Sequence, residues 1–165
     1  MKGRPGLSLV MPAYNEEGNI DLVVRRVDAA IRSLGLNYEL IVVDDGSIDD
    51  TRIKIDNYAR NNGHVKVVGY NNNVGKGFAL TTGFSHASGD LVVFMDSDSD
   101  IDPKQVARYV EALKEADIVV SSKWHPQSKI EPPFIRRLLS HGFNVLVKLL
   151  VGLRVSDTQT GLKAI

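Results

Sequence analysis

Leu91-Val92-Val93-Phe94-Met95-Asp96-Ser97-Asp98-Ser99-Asp100 is an apolar run that ends in three carboxylates alternating with serines. A short apolar run without polar alternation reads as a strand buried on both faces, the kind found in parallel sheets. The carboxylates then gather where the chain leaves the sheet. Like charges that close together cost free energy unless a cation or a set of donors compensates. Oxygen-only ligands at short spacing suit a hard divalent ion, Mg²⁺ or Mn²⁺. The plain alternative is a solvated acidic turn, with Asp102 capping the helix that Pro103 opens. A calcium hand shares carboxylates at its first, third and fifth positions but needs glycine sixth and glutamate twelfth, where Ile101 and Ala107 stand. A phosphohydrolase with Asp96 as its aspartyl nucleophile is a competing reading, although its Asp-x-Asp motif ordinarily ends the first strand.

Outward from this stretch, strand and helix signals alternate. Leu7 to Met11 is an apolar run, and Ile20, Val23, Val24, Val27, Ile31 and Leu34 follow at helical spacing. Tyr38 to Val43 reads as a second strand and about Asp50 to Asn61 as a helix. Val65 to Tyr70 is the third strand and Gly77 to Ser85 a helix. Leu91 to Met95 is then the fourth strand. Pro103 opens a helix with Val106, Tyr109, Val110 and Leu113 on its inner face. Ile118 to Ser121 is a fifth strand, Trp124 to Pro133 a proline-rich loop, and about Phe134 to Val151 a long helix. Strands separated by helices imply parallel pairing through right-handed crossovers: a mostly parallel sheet with helices on both faces, in three layers. Ligands bind such sheets outside the carboxyl ends of the strands.

Four polar segments fall on that edge. They are Pro12-Ala13-Tyr14-Asn15-Glu16-Glu17, Asp44-Asp45-Gly46-Ser47, Asn71-Asn72-Asn73-Val74-Gly75-Lys76-Gly77 and the aspartate cluster. The opposite edge looks plainer, with Gly35-Leu36-Asn37, Asn61-Asn62-Gly63 and Ser88-Gly89. In the first segment, backbone groups could pair with a base edge while Tyr14 lies against the ring; a simple turn with Asn15 or Asn19 capping the next helix is the alternative. Asp44 and Asp45 are adjacent at a strand end, so their side chains point oppositely. One faces a ligand and suits a base N–H or a ribose hydroxyl, and the other bonds amides in the Gly46-Ser47 turn. Lys76, flanked by Gly75 and Gly77, could place a point charge on a phosphate. The Walker pattern is missing, so a helix start with a surface lysine is the alternative.

Composition narrows the class. At 165 residues the chain fits one domain. Lys plus Arg equals Asp plus Glu, at 20 each, so no long-range attraction to nucleic acid is expected. Cysteine is absent, which excludes disulfides and thiolate metal sites. Met1 to Pro5 does not read as a signal peptide. Gly142 to Leu153 is too short to span a bilayer and is broken by Lys148. A helix over 134–153 could still lie against a membrane surface or simply belong to the core.

The ordered set of motifs resembles family 2 glycosyltransferases of the GT-A fold, nearest to the dolichyl-phosphate mannose synthase and dolichyl-phosphate glucosyltransferase branch. The matches are Val10-Met11-Pro12-Ala13-Tyr14-Asn15-Glu16, Ile41-Val42-Val43-Asp44-Asp45-Gly46-Ser47, Asn73-Val74-Gly75-Lys76-Gly77, Gly83-Phe84, Ala87-Ser88-Gly89-Asp90, Asp96-Ser97-Asp98 and Asp157-Thr158-Gln159-Thr160-Gly161-Leu162-Lys163. The resemblance implies a nucleotide pocket of Pro12, Tyr14, Glu16, Val43 and Asp45, with Asp96 and Ser97 against ribose and diphosphate. It makes Asp98 the principal ligand of a Mg²⁺ or Mn²⁺ ion and places Asp157 on the acceptor side. The implied reaction is metal-dependent, inverting transfer of a hexose from a nucleotide diphosphate sugar to a polyprenyl or dolichyl phosphate. A nucleotide-sugar-binding module without turnover is the alternative. The expected location is the cytoplasm or the cytoplasmic face of a membrane.

Departures from the family are informative. Asp100 stands where the family's metal motif has glutamine and makes the metal site more negative. Lys123 stands where arginine is common near the diphosphate. The chain stops just after the Thr160-Gly161-Leu162-Lys163 motif, where relatives continue, so it is either a truncated or a minimal form of the domain.

Overall fold

Strands buried on both faces organise the computed structural model, which describes residues 5–97, 101–121 and 161–165. In chain order the elements are β1 (Leu7–Ala13), α1 (Ile20–Arg32), β2 (Tyr38–Asp44), α2 (Thr51–Arg60), β3 (Val65–Gly69), α3 (Lys76–Ser85) and β4 (Leu91–Met95). A 3₁₀ turn at Pro103–Gln105 then leads into α4 (Val106–Ala112), followed by β5 (Val119–Val120) and β6 (Leu162–Ala164). The chain divides into two compact units, 1–119 with 162–165, and 120–161. The second lies almost wholly outside the described residues, as do the expected loop at 124–133 and helix at 134–153.

The sheet order is β3-β2-β1-β4-β6-β5. β1 pairs in parallel with β2 and β4, and β2 in parallel with β3. β4 pairs antiparallel with β6. The mostly parallel α/β architecture is therefore the expected one. The strand at Leu162–Ala164 is an addition: three residues carry no readable period, and the sequence motif there pointed to an acceptor rather than to a sheet.

Leu7, Leu9, Met11 and Ala13 of β1 join Leu40, Val42, Val93 and Met95 on one face. Ile20, Val23, Val24, Val27 and Ile31 of α1, Ile55 of α2 and Val106 and Tyr109 of α4 cover it. The helical spacing read from the sequence is thus the spacing of the buried stripe. The other face, with Val10, Ile41, Val43 and Val92, takes Ala79 of α3. α3 sits close because residue 83 is glycine: a Cβ there would stand 2.9 Å from Val43 Cγ2 and nearer still to Val10 Cγ1.

Pro12 lies within β1, a central strand, and its missing N–H is harmless. Asp45 N donates to Ala13 O, so Met11 and Ala13 direct their backbone groups to β2 while Pro12 directs its own to the β4 side. There the ladder has already ended at Val10–Phe94.

Candidate functional site

Parallel pairing of β1 to β4 brings the first three polar segments and the start of the fourth, Asp96 and Ser97, to one edge of the sheet, as expected. Pro12 is in register with Val43, and Val43 with Val68. Val10 is in register with Phe94, so Asp96, two residues on, stands level with Pro12. By the alternation of strand side chains, Pro12, Val43 and Asp96 belong to the α3 side of the sheet. Asp45 is on that side as well, through its contacts with the start of α3. Asp44 takes the other direction and accepts from Ser47 N at 3.2 Å, the turn bond expected of one of the two carboxylates.

The first two loops are stitched to each other. Asn15 N donates to Ser47 Oγ at 3.0 Å, and Asn15 Oδ1 accepts from Ile48 N at 3.0 Å. Glu16 N donates to Thr51 Oγ1 at 2.7 Å. Glu17 N donates to Asp49 Oδ2, and Asp50 N returns a bond to Glu17 Oε2. Asn15 has φ 52°, a left-handed conformation asparagine tolerates better than most residues. Of the two capping candidates, Asn19 occupies the N-cap of α1, although without a side-chain cap bond. This network leaves the Tyr14 side chain at the surface, 43% exposed. Asp49 and Thr51 were missed as site-building residues, and Glu17 and Ser47 were read only as members of their segments. Their signal was the Asp/Ser/Thr density after the second strand, which favours side-chain bonds to backbone.

Asp45 binds the third loop. It is 3% exposed and accepts from Tyr70 Oη at 2.6 Å, Asn73 Nδ2 at 2.9 Å, Val74 N at 3.0 Å and Gly75 N at 3.0 Å. Burial, and then the adjoining Asp45 carboxylate, push the Tyr70 hydroxyl well above its ordinary pKa. Gly75 (φ 104°) turns the chain into α3, and Lys76, the first residue of that helix, reaches Asp96 Oδ2 at 2.6 Å. Lys76 and Asp96, read from the sequence as separate ligand contacts, are thus partners across the edge. Ser97 is buried beside them in sequence. Asp98, Asp100, Lys123 and Asp157 lie outside the described residues.

An all-oxygen donor set begun by Asp96 fits a hard divalent cation in kind. Among the described residues, however, no three acidic or histidine side chains converge to hold one. Asp102 caps the following turn, accepting from Lys104 N at 3.1 Å, as the plain reading of that residue required.

The opposite edge is richer than its sequence suggested. Asp28 of α1 accepts from Tyr38 Oη at 2.6 Å, Tyr58 Oη at 2.7 Å and Arg32 Nη2 at 3.0 Å, and lies 2.7 Å from His64 Nε2. Burial raises its pKa, but those bonds outweigh it and hold the carboxyl below its ordinary range. A hollow of about 480 Å³ beside it is lined by Arg25, Asp28, Arg32, Tyr58 and Asn62. Its arginines are engaged, Arg25 with Asp21 and Arg32 with Asp28. Glu39 of β2 is a second buried carboxylate, held by Ser8, Ser88 and Lys66. Among the described residues no helix is long and apolar enough to cross a membrane.

Comparison with known proteins matches this arrangement. The profile of the family described as "Glycosyl transferase family 2" matches residues 8–163. The undecaprenyl-phosphate 4-deoxy-4-formamido-L-arabinose transferase of Klebsiella pneumoniae (strain 342) is 34% identical over 160 residues, covering 96% of this chain and 48% of that protein. The dolichol-phosphate mannosyltransferase of Pyrococcus furiosus is 38% identical over 138 residues, 82% of this chain and 38% of that protein. The chain thus spans about half the length of the first relative and less of the second. Among solved structures, glucosyl-3-phosphoglycerate synthase from Mycobacterium tuberculosis, in complex with Mn²⁺, UDP and phosphoglyceric acid, superimposes with a TM-score of 0.69 at 30% identity. That match covers 98% of this chain and 55% of the other.

Proposed function

The chain belongs to glycosyl transferase family 2, and on that premise we propose that it takes a nucleotide diphosphate sugar at the carboxyl edge of its sheet and transfers the hexose, with inversion, to a lipid phosphate. The donor is of the GDP-mannose or UDP-glucose type and the acceptor a polyprenyl or dolichyl phosphate. The observation that carries this reading is the convergence of four strand ends on one edge, tied across by Lys76 and Asp96 at 2.6 Å. The names of the Klebsiella and Pyrococcus relatives, each built on a lipid phosphate, support the acceptor class.

Pro12, Ala13, Tyr14, Asn15 and Glu16, with Val43 and Asp45, form the nucleoside end of the site. Asp96, Ser97, Lys76 and Lys123 form the ribose and diphosphate end. Asp98 with Asp100 would hold Mg²⁺ or Mn²⁺, which when bound offsets charge on the diphosphate; the Mn²⁺ beside UDP in the mycobacterial synthase supports this. Lys76 adds a fixed positive charge where the leaving oxygen gains its electron pair. The acceptor phosphate, already anionic, attacks the anomeric carbon from the face opposite the diphosphate, so one C–O bond forms as the other breaks. With a hydroxyl acceptor, Asp157 takes the proton. Residues 1–165 act as one domain, in the cytoplasm or at a membrane's cytoplasmic face, with 134–153 as its membrane contact.

The test is thermal unfolding with GDP, UDP and their sugars, with and without Mn²⁺, followed by transfer assays. Metal-dependent stabilisation by at least one nucleotide is expected, and Asp98→Asn should abolish the metal-dependent part. Full metal-dependent transfer by Asp98→Asn would defeat the assignment. Donor binding without transfer or hydrolysis would select a nucleotide-sugar-binding module instead.

A further inference from the structure

Resting on the lipid-phosphate acceptor proposed above, we infer that α3, with the loop leading into it, docks on an anionic lipid surface and sets the carboxyl edge of the sheet against the bilayer. It is a second contact, besides the one proposed at 134–153. The chain is neutral overall, yet its charges are unevenly laid out. No aspartate or glutamate occurs between Asp56 and Asp90, a span that carries Arg60, Lys66 and Lys76. Val74, Phe78 and Phe84, all within that span, are each about half exposed. Ala79 and Gly83 are the residues that α3 buries on the sheet. Gly77, Phe78, Thr81, Phe84 and Ser85 are left exposed, with no charge among them. Phe78 meets Tyr70, just past β3, edge-on at 5.2 Å, and Phe84 meets Phe94 of β4 at 6.0 Å. β3 and β4 lie on opposite sides of the β2-β1 pair, so an aromatic ring flanks the helix on each side.

The polar groups of this face suit a surface that is partly dehydrated. Thr81 Oγ1 donates to Gly77 O at 3.0 Å and Ser85 Oγ to Thr82 O at 2.7 Å. Both hydroxyls are thus bonded to their own helix and lose little when water leaves. The other helices carry exposed ion pairs, Asp21 with Arg25, Arg52 with Asp56 and Glu111 with Lys114, whose dehydration would be costly. Charge complementarity selects the lipid. Lys66 is in register with Ile41 and so belongs to the α3 side of the sheet. It pairs there with Glu39, and Lys76 pairs with Asp96. In each pair the cation is the outer member, 50% exposed against 5% and 56% against 21%, so an approaching headgroup meets the lysine first. Asp90 precedes β4 and stands at the opposite edge from Lys76. An uncharged helix flanked by aromatic rings and rimmed by lysines fits the interface of an anionic bilayer.

Co-sedimentation of the full chain with vesicles of phosphatidylglycerol and phosphatidylcholine, or of phosphatidylcholine alone, tests this. The proteins are wild type, Phe78→Ser, Phe84→Ser, Thr81→Glu and Thr81→Lys. Wild type should bind the anionic vesicles, less at high salt, and should bind phosphatidylcholine alone weakly. Phe78→Ser and Phe84→Ser should each lower the partition coefficient about tenfold. Thr81→Glu should lower it about fivefold, whereas Thr81→Lys should bind at least as well as wild type. The two Thr81 variants leave both aromatic pairs in place, so they decide if a serine variant does not fold. Equal binding of Thr81→Glu and Thr81→Lys, or equal binding to both kinds of vesicle, would overturn the inference. So would serine variants that change the oligomeric state and leave vesicle binding intact, since a second copy would then cover α3. Vesicle binding untouched by all four substitutions, with metal-dependent nucleotide stabilisation retained, would sink this inference and leave the proposed function standing. Vesicle binding that α3 controls, in a chain that no nucleotide stabilises, would support the docking face and overturn the proposed function instead.

Discussion

Glu39 offers the sharpest test of how the frame behind the site is held. Its Oε1 accepts from Ser8 Oγ at 2.6 Å, Ser88 N at 2.6 Å and Ser88 Oγ at 2.9 Å, while Oε2 pairs with Lys66 Nζ. Burial alone would raise its pKa, yet Lys66 and the serine donors pull it from 4.5 down to about 2. A folded-state pKa below the unfolded one means stability that is present above pH 4.5 and lost as pH falls toward 2. The displacement corresponds to about 3 kcal/mol at neutral pH. Glu39→Gln keeps the shape and lets the amide oxygen accept from Ser8 and Ser88, but it turns an amide N–H₂ toward Lys66. That lysine is half exposed and swings into water, so the loss is the charge-assisted part, about 2–3 kcal/mol. Urea unfolding of wild type and Glu39→Gln from pH 7 to pH 3 measures this. The two stabilities should differ most at neutral pH and converge on acidification. Curves that stay parallel across that range would refute the coupling.

Asp28→Asn should destabilise by about 2–3 kcal/mol at neutral pH, since it leaves the half-buried hydroxyls of Tyr38 and Tyr58 competing for one oxygen. Because the Asp28 carboxyl is held below its ordinary value, that loss should also shrink in acid, and urea unfolding would show it. Gly83→Ala should lower stability by about 1–3 kcal/mol through overpacking on Val10 and Val43, read as a fall in melting temperature; an unchanged melting temperature would mean that α3 shifts freely. Gly46→Ala combines a positive φ with backbone overlap at Asn72 and Asn73. It should cost about 2 kcal/mol or more and weaken nucleotide binding, read by calorimetric titration.

Periodicity made most of this architecture legible, because its helices and strands bury stripes that the apolar residues mark directly. The site's location was legible for the same reason: parallel strands have one carboxyl edge, and the polar segments fall there. Partnership was not legible. Nothing in Asn73 or Tyr70 announces Asp45, since the contacts bridge 28 and 25 residues of sequence. Asp28 could have been found: Val24, Asp28 and Ile31 share a helix face, which places a charge on the buried side and demands donors. Glu39 likewise alternates with Ile41 and Val43 on a buried strand face. Both were passed over because a single charge in an apolar pattern reads as the edge of a stripe. β6 was hidden by its brevity.

That last strand has a consequence for how the protein is made. Val93 on β4 meets Ala164, 71 positions later, and Ile165 and Val92 exchange backbone bonds at 2.7 and 2.9 Å. As a nascent polypeptide leaves the ribosome, β4 can settle beside β1 while its other flank still shows unpaired amides and carbonyls. Synthesis must reach residue 165 before that flank is sealed. Until then the flank is an unpaired strand edge of the kind that invites wrong pairing.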